Sequence, residues 1–131
     1  MAKVIHSMIR VLDLERSMRF YAEVLDLRES HRLDFPEFAL VYLRNSENDF
    51  EIELTLNKGR VEPYTHGSGY GHTGVVIADA AATHAALTAQ GHEPGPVKEF
   101  KRGDELLARF FFIQDPDGYK IEMLERHGHY Q

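Results

Sequence analysis

The sequence predicts an α+β fold in which a unit of strand, helix and further strands occurs twice. Short segments rich in Val, Ile and aromatic residues, typical of strands, surround two segments with helical features. The second observation is a repeat, since 66 residues separate His6 from His72 and 66 also separate Asp13 from Asp79. The two strand-to-helix junctions therefore keep one register, which indicates an internal duplication.

The first unit is predicted to occupy residues 1–57. Residues 3–11 are rich in Val, Ile and Met and predict a strand. Asp13 has the short acceptor side chain that helix N-caps favour. Apolar residues then recur with a helical period at Leu14, Met18, Tyr21 and Leu25. Three more strands are predicted at residues 27–32, 38–43 and 49–56.

A connector and a second unit follow. Residues 58–69 hold three glycines and one proline without a hydrophobic period, which is typical of a linker. Residues 70–131 are predicted to form the second unit, within one compact domain overall. Its elements are predicted as a strand at 70–78, an N-cap at Asp79, a helix at 80–90 ended by Gly91, and strands at 107–113 and 119–125 that pair around Asp115-Pro116-Asp117-Gly118.

Composition narrows the function classes. The chain has 131 residues, a net charge of −6 and no cysteine, so disulfide scaffolds and thiolate metal sites are excluded. No basic patch offers phosphates a binding surface, and we expect no nucleic-acid partner. No apolar run approaches the ~20 residues of a membrane helix, and no signal peptide is apparent at the N-terminus. We therefore expect a cytoplasmic protein with no membrane partner.

Each unit offers one histidine early and one glutamate late. These residues are His6 and Glu53 in the first unit, and His72 and Glu122 in the second. Because strand side chains alternate between faces, each glutamate is predicted to point away from its aliphatic neighbours. Two imidazoles and two carboxylates suit Zn²⁺, Ni²⁺, Co²⁺ or Fe²⁺ with positions left for substrate. The alternative is that the histidines are hydrogen-bonded strand residues and the glutamates face solvent.

Other chemistry-bearing residues carry weaker signals. The remaining histidines are expected to be exposed, with His31 in loop-like sequence and His127 and His129 in a tail without a fixed scaffold. The aromatic run at residues 110–112 predicts core, with a pocket lining as the alternative. No nucleophile-elbow, P-loop or dinucleotide motif is present, so hydrolase and nucleotide chemistry have no support.

Four segments resemble one known family in family order. They are the opening His-Ser-Met-Ile-Arg that ends at Arg10, the Ile-Glu-Leu-Thr-Leu-Asn that ends at Asn57, the Tyr-Gly-His that ends at His72, and the Asp-Pro-Asp-Gly-Tyr-Lys-Ile-Glu that ends at Glu122. The chain resembles the glyoxalase I family of the vicinal oxygen chelate superfamily, which also includes bleomycin-resistance proteins and dioxygenases. This resemblance implies duplicated βαβββ modules that pair into an interface-forming homodimer.

The resemblance also implies the ligands of one divalent metal per site. His6 and Glu53 would come from one chain and His72 and Glu122 from its partner in the dimer. The short chain resembles bacterial enzymes that prefer Ni²⁺, with Zn²⁺ or Co²⁺ as alternatives. The implied reaction is methylglyoxal detoxification, in which the glutathione-derived hemithioacetal is isomerised to S-lactoylglutathione by a lyase. By analogy Glu122 is the expected base, with Glu53 as the second choice.

Substrate contacts are implied as well. Arg10 and Asn57 are expected to contact the glutathione moiety. Residues 99–114 are longer than the family pattern. Two interpretations of the cations in this region stay open: Lys98, with Lys101 and Arg102, supplies a second carboxylate contact, or the three residues belong to a charged surface loop. Two other functions stay open on the same fold. One is another metal-dependent reaction by a thiol transferase, epimerase or dioxygenase, and the other is a metal-free, drug-sequestering protein.

Overall fold

A parallel pair of strands joined by a helix begins each half of the chain. The computed structural model describes all residues from 1 to 131, which form two compact units, Met1–Thr65 and His66–Gln131. The elements of the first unit are β1 (His6–Val11), α1 (Leu14–Leu25), β2 (Arg28–Asp34), β3 (Phe38–Arg44) and β4 (Glu51–Asn57). Its sheet has the order β1-β4-β3-β2, with β1 and β4 parallel and the other pairs antiparallel.

The second unit repeats this topology. Its elements are β5 (Thr73–Ile77), α2 (Ala80–Ala89), β6 (Lys98–Arg102), β7 (Glu105–Gln114) and β8 (Lys120–Glu125). The sheet order is β5-β8-β7-β6, again with one parallel pair, β5 and β8, and two antiparallel pairs. The predicted α+β class and the βαβββ duplication are confirmed.

Both helices begin where the sequence predicts. The Asp13 carboxylate accepts a hydrogen bond from the Arg16 backbone N–H at 3.0 Å, and Asp79 accepts one from Ala82 at 2.8 Å. Each aspartate thereby satisfies a backbone donor that the first helical turn leaves unpaired. Gly91 follows α2 with a φ of 90°, the left-handed conformation that glycine adopts without strain.

Most strand boundaries differ from the prediction by one to three residues, and one strand was not predicted. The strand expected at 70–78 begins only at Thr73, so His72 lies directly before β5. Residues 98–102, for which a charged surface loop was one interpretation, instead form the edge strand β6, whose five residues are all exposed. Charged side chains on an edge strand discourage pairing with another sheet, and they also hide the hydrophobic alternation by which strands are recognised.

In each unit one face of the sheet is filled by aliphatic and aromatic side chains. Val41, Leu43 and Leu54 are at most 1 % exposed in the first unit, as are Phe111 and Met123 in the second. Residues on the alternate positions of the same strands therefore face the other side. The two helices have 12 and 10 residues, and neither could span a membrane.

Candidate metal centre

The first candidate pair joins β1 to β4. His6 begins β1, and Glu53 lies in the middle of the parallel neighbour β4. The His6 Nε2 atom is 3.4 Å from Glu53 Oε2, with side-chain exposures of 37 % and 9 % respectively. The Glu53 carboxylate is therefore buried, whereas the His6 imidazole is partly exposed to solvent.

Glu53 has a second partner on the next strand. Tyr42 of β3 lies directly opposite Glu53, and its hydroxyl donates a hydrogen bond to Glu53 Oε1 at 2.9 Å. The Tyr42 ring also lies edge-on to the His6 imidazole, with 5.6 Å between ring centroids. Burial and the neighbouring Glu53 carboxylate both raise the pKa of Tyr42, so the phenol stays a hydrogen-bond donor at neutral pH.

The second candidate pair joins the start of β5 to β8. His72 Nε2 is 3.0 Å from Glu122 Oε2, and the side chains are 42 % and 19 % exposed. Phe112 of β7 lies directly opposite Glu122, and its ring is edge-on to His72 at 5.3 Å between centroids. The two pairs therefore occupy equivalent places in the duplicated units.

The donor atoms of each pair fit a divalent cation. Imidazole nitrogen and carboxylate oxygen are both ligands for borderline divalent metals, and the two atoms in each pair are close enough to share one ion. Each pair supplies only two protein donors, and no group of three or more metal-ligating side chains forms in the chain. A complete catalytic site would need further ligands, since such sites commonly hold their metal with three or more protein groups.

The candidate substrate contacts of the first unit lie along the same sheet face. Arg10 is in register with Thr55, two positions beyond Glu53, and Asn57 follows two positions further on. The Asn57 side-chain amide donates to the Tyr64 hydroxyl at 3.0 Å, and the Arg60 guanidinium stacks on the Tyr64 ring at 4.0 Å. The structure thus gathers the two predicted polar groups near one end of β4.

The three cations of β6 have different surroundings. Lys101 is paired with Glu99 at 3.1 Å and Arg102 with Glu105 at 2.9 Å, whereas Lys98 makes no ion pair. Lys98 lies in register with Phe110, two positions from Phe112 on β7. Phe110 and Phe112 point to the same face of the sheet, and Phe112 is paired with Glu122. Lys98 is therefore on the sheet face that carries Glu122, and it is the cation of β6 without an ion pair.

Three aromatic and histidine residues have environments that the sequence did not predict. His31, expected in a loop, lies in β2 with its ring 5.9 Å from that of Tyr42. The His127 Nε2 atom is 2.9 Å from the Leu106 carbonyl oxygen, so this part of the tail is fixed. The prediction also missed Tyr42. An aromatic residue 10 or 11 positions before each glutamate of the repeat is the signal that points to it.

The fold agrees with that of a known superfamily. Residues 3–123 match the Glyoxalase/Bleomycin resistance protein/Dioxygenase superfamily. The chain belongs to this superfamily.

Within it, the similarity extends over nearly full length to lactoylglutathione lyases. The chain is 41% identical to the lactoylglutathione lyase of Haemophilus influenzae, covering 94% of this chain and 92% of the relative. It is 37% identical to the lactoylglutathione lyase of Salmonella typhimurium with the same coverage. The solved structure of the trypanothione-dependent glyoxalase I of Leishmania major superposes with a TM-score of 0.75 at 32% identity, covering 95% of this chain and 87% of that one.

Proposed function

We propose that this protein is a metal-dependent lactoylglutathione lyase, or glyoxalase I, that isomerises the hemithioacetal of methylglyoxal and glutathione to S-lactoylglutathione. One observation carries the proposal: equivalent His–Glu pairs, His6 with Glu53 and His72 with Glu122, occur at the same place in two copies of one unit. The full-length similarity to named lactoylglutathione lyases supports it.

The reaction moves one proton between neighbouring carbons, so its main requirement is a correctly placed base. Glu122 is proposed to take the proton from the carbon that bears sulfur and to return it to the adjacent carbonyl carbon. The substrate oxygens exchange roles as hydroxyl and carbonyl, and no atom is lost. A divalent cation, when bound, supplies positive charge that acidifies the C–H bond. Glu122 is 19 % exposed, so it can reach a substrate and is still partly shielded from water.

The remaining polar groups are proposed to hold the thiol portion of the substrate. Arg10 lies four positions from His6 on the same strand face, roughly 13 Å away at ~3.3 Å per residue. A guanidinium at that distance can bind a peptide carboxylate while the reacting carbons lie near the His–Glu pair. Asn57 and Lys98 are proposed to add an amide and an ammonium contact.

The metal is proposed to be Ni²⁺, with Zn²⁺ and Co²⁺ as alternatives. Two protein donors per pair are too few for a site of this type, so we further propose a homodimer in which two pairs complete one site. His6 and Glu53 of one chain would act with the partner subunit's His72 and Glu122. The expected cytoplasmic location stays a prediction.

Activity and its metal dependence test the reaction. Purified protein should form thioester from methylglyoxal and glutathione when supplied with Ni²⁺, and a chelator should abolish the activity. Glu122→Gln should lower kcat by about 10²–10⁴-fold, as expected for a lost acid–base group. Glu105→Gln, on an exposed position of the same sheet, is the matched control. No thioester with any divalent metal would refute the proposed function.

Mixing two inactive variants tests the shared site. Glu53→Gln and Glu122→Gln chains should each be inactive alone. After subunit exchange about one quarter of wild-type activity should return, because half of the dimers are mixed and each of these has one intact site of two. If mass spectrometry demonstrates subunit exchange and no activity returns, the two pairs of one site do not come from different subunits.

A further inference from the structure

The duplicated units differ by one hydroxyl group at the candidate site. Tyr42 lies opposite Glu53 on the neighbouring strand, and Phe112 lies opposite Glu122 in the same way. Both rings are edge-on to the histidine of their own unit, each at an interplanar angle of 76°. The aromatic packing is therefore the same in both units, and the difference is the phenolic oxygen, which Tyr42 has and Phe112 lacks.

That oxygen gives the two carboxylates different hydrogen bonding. Glu53 has a partner for each oxygen, since Oε1 accepts from the Tyr42 hydroxyl at 2.9 Å and Oε2 lies 3.4 Å from His6. Glu122 is contacted only through Oε2, by His72 at 3.0 Å, and its Oε1 has no hydrogen-bond donor. Glu53 is also the more deeply buried of the two, at 9 % against 19 % side-chain exposure.

A carboxylate held at both oxygens, as Glu53 is, has less freedom to rotate than one held at a single oxygen, as Glu122 is. Hydrogen bonds from outside the ligand shell orient metal-ligating side chains, and their removal costs about 10–100-fold in metal affinity or activity. A carboxylate without such a bond can turn about its terminal torsion, which is what carrying a proton between two adjacent carbons requires.

We propose that Tyr42 is a positioning residue that fixes Glu53 as a metal ligand through Oε2, and that Phe112 leaves Glu122 mobile as the base. This inference rests on the proposed function and deepens it, because it explains how two equivalent glutamates take different roles. Tyr42 acts only through Glu53 and has no direct part in the chemistry.

Two reciprocal variants test the inference. Tyr42→Phe removes the hydroxyl from the first unit and Phe112→Tyr adds one to the second. For each protein we would measure Ni²⁺ affinity by chelator competition, the visible absorption spectrum of the Co²⁺-loaded form, and kcat and KM at saturating Ni²⁺. The unfolding midpoint of the metal-free protein reports any purely structural effect.

The two variants should behave differently. Tyr42→Phe should weaken Ni²⁺ binding by about 10–100-fold and shift the Co²⁺ spectrum, with KM unchanged once metal is saturating. Phe112→Tyr should keep the Ni²⁺ affinity within about threefold but lower kcat by about tenfold or more, because the new phenol would hold Glu122 as Tyr42 holds Glu53. The double variant should show both defects.

The proposal is overturned if Tyr42→Phe matches the wild type in Ni²⁺ affinity and Co²⁺ spectrum, or if Phe112→Tyr keeps the wild-type kcat. Should one variant not fold, the other still tests the proposal, since each changes the hydroxyl group opposite one of the two glutamates. If the wild type itself forms no thioester, the proposed function fails, whereas the Ni²⁺ affinity and Co²⁺ spectrum of Tyr42→Phe still decide the role of Tyr42.

Discussion

The turn before β8 positions Glu122, and one buried carboxylate holds that turn together. Asp115 is 5% exposed, and its Oδ1 atom accepts hydrogen bonds from the backbone N–H groups of Asp117 and Tyr119, each at 2.9 Å. The Asp115 backbone N–H and carbonyl also close the turn, with Tyr119 and Gly118 respectively. Asp115→Ala would keep the backbone bonds and remove the side-chain acceptor.

The expected loss of stability follows from those two bonds. Hydrogen bonds to a charged group contribute about 1.5–3 kcal/mol each, and a buried donor left without a partner costs about 1–3 kcal/mol. Because the freed Asp117 N–H lies only partly buried, water can replace some of the loss. We therefore expect Asp115→Ala to lower the free energy of unfolding by about 3 kcal/mol, and Asp115→Asn, which keeps a neutral acceptor, by about half as much.

Guanidinium unfolding followed by circular dichroism measures this difference. Asp104→Ala is the matched control, because Asp104 lies in the other hairpin turn of the same unit and is exposed. That control should change the free energy of unfolding by less than about 0.5 kcal/mol. A loss below about 0.5 kcal/mol for Asp115→Ala, against the same control, would refute the inference that this carboxylate stabilises the turn.

Two further predictions concern charge. Arg10→Met should raise KM about tenfold and leave kcat nearly unchanged, as expected for lost substrate binding. Steady-state kinetics measures this effect, with Arg19→Met, at an exposed position of α1, as the control. An unchanged KM would contradict the prediction. Arg109 donates to Glu99 at 3.0 Å and, with Lys101, lowers the pKa of that carboxyl. A lowered folded-state pKa stabilises the fold above the ordinary carboxyl pKa of ~4.3, and the effect is lost as pH falls through the lower value. Arg109→Leu should therefore be less stable than the wild type at neutral pH. In denaturant titrations the gap in free energy of unfolding should narrow as the pH falls below the ordinary carboxyl pKa of ~4.3; a gap independent of pH would contradict this.

The elements that the sequence predicted well are those fixed by short-range chemistry. Asp13 and Asp79 cap their helices through bonds to residues three positions on, and the turn from Asp115 to Gly118 closes within four residues. Such contacts can be predicted from residues that are neighbours in the sequence. The 66-residue repeat then extended the same reasoning from one unit to the other. The pairing predicted around Asp115–Gly118 is found between β7 and β8.

What could not be predicted depends on long-range pairing or on exposure. The strand β6 has no buried residue, so it lacks the alternation that marks a strand, and its register comes only from β7. Tyr42 was missed for a related reason. Its hydroxyl reaches Glu53 because β3 and β4 pair at that register, which no local pattern of residues 38–43 specifies.

The register itself explains why both His–Glu pairs form. Ser7, which follows His6, is paired with Ile52, which precedes Glu53. In the second unit Thr73 follows His72 and is paired with Ile121, which precedes Glu122. Each pair is thus a diagonal contact across two parallel strands, with His6 at the first residue of β1 and His72 one residue before β5. The backbone hydrogen bonds of these strands hold both pairs. Groups placed on hydrogen-bonded strands keep their geometry better than groups on loops, as a metal site requires. The two glutamates therefore occupy equivalent places, and the proposed difference in their roles depends on the side chains opposite them, Tyr42 and Phe112.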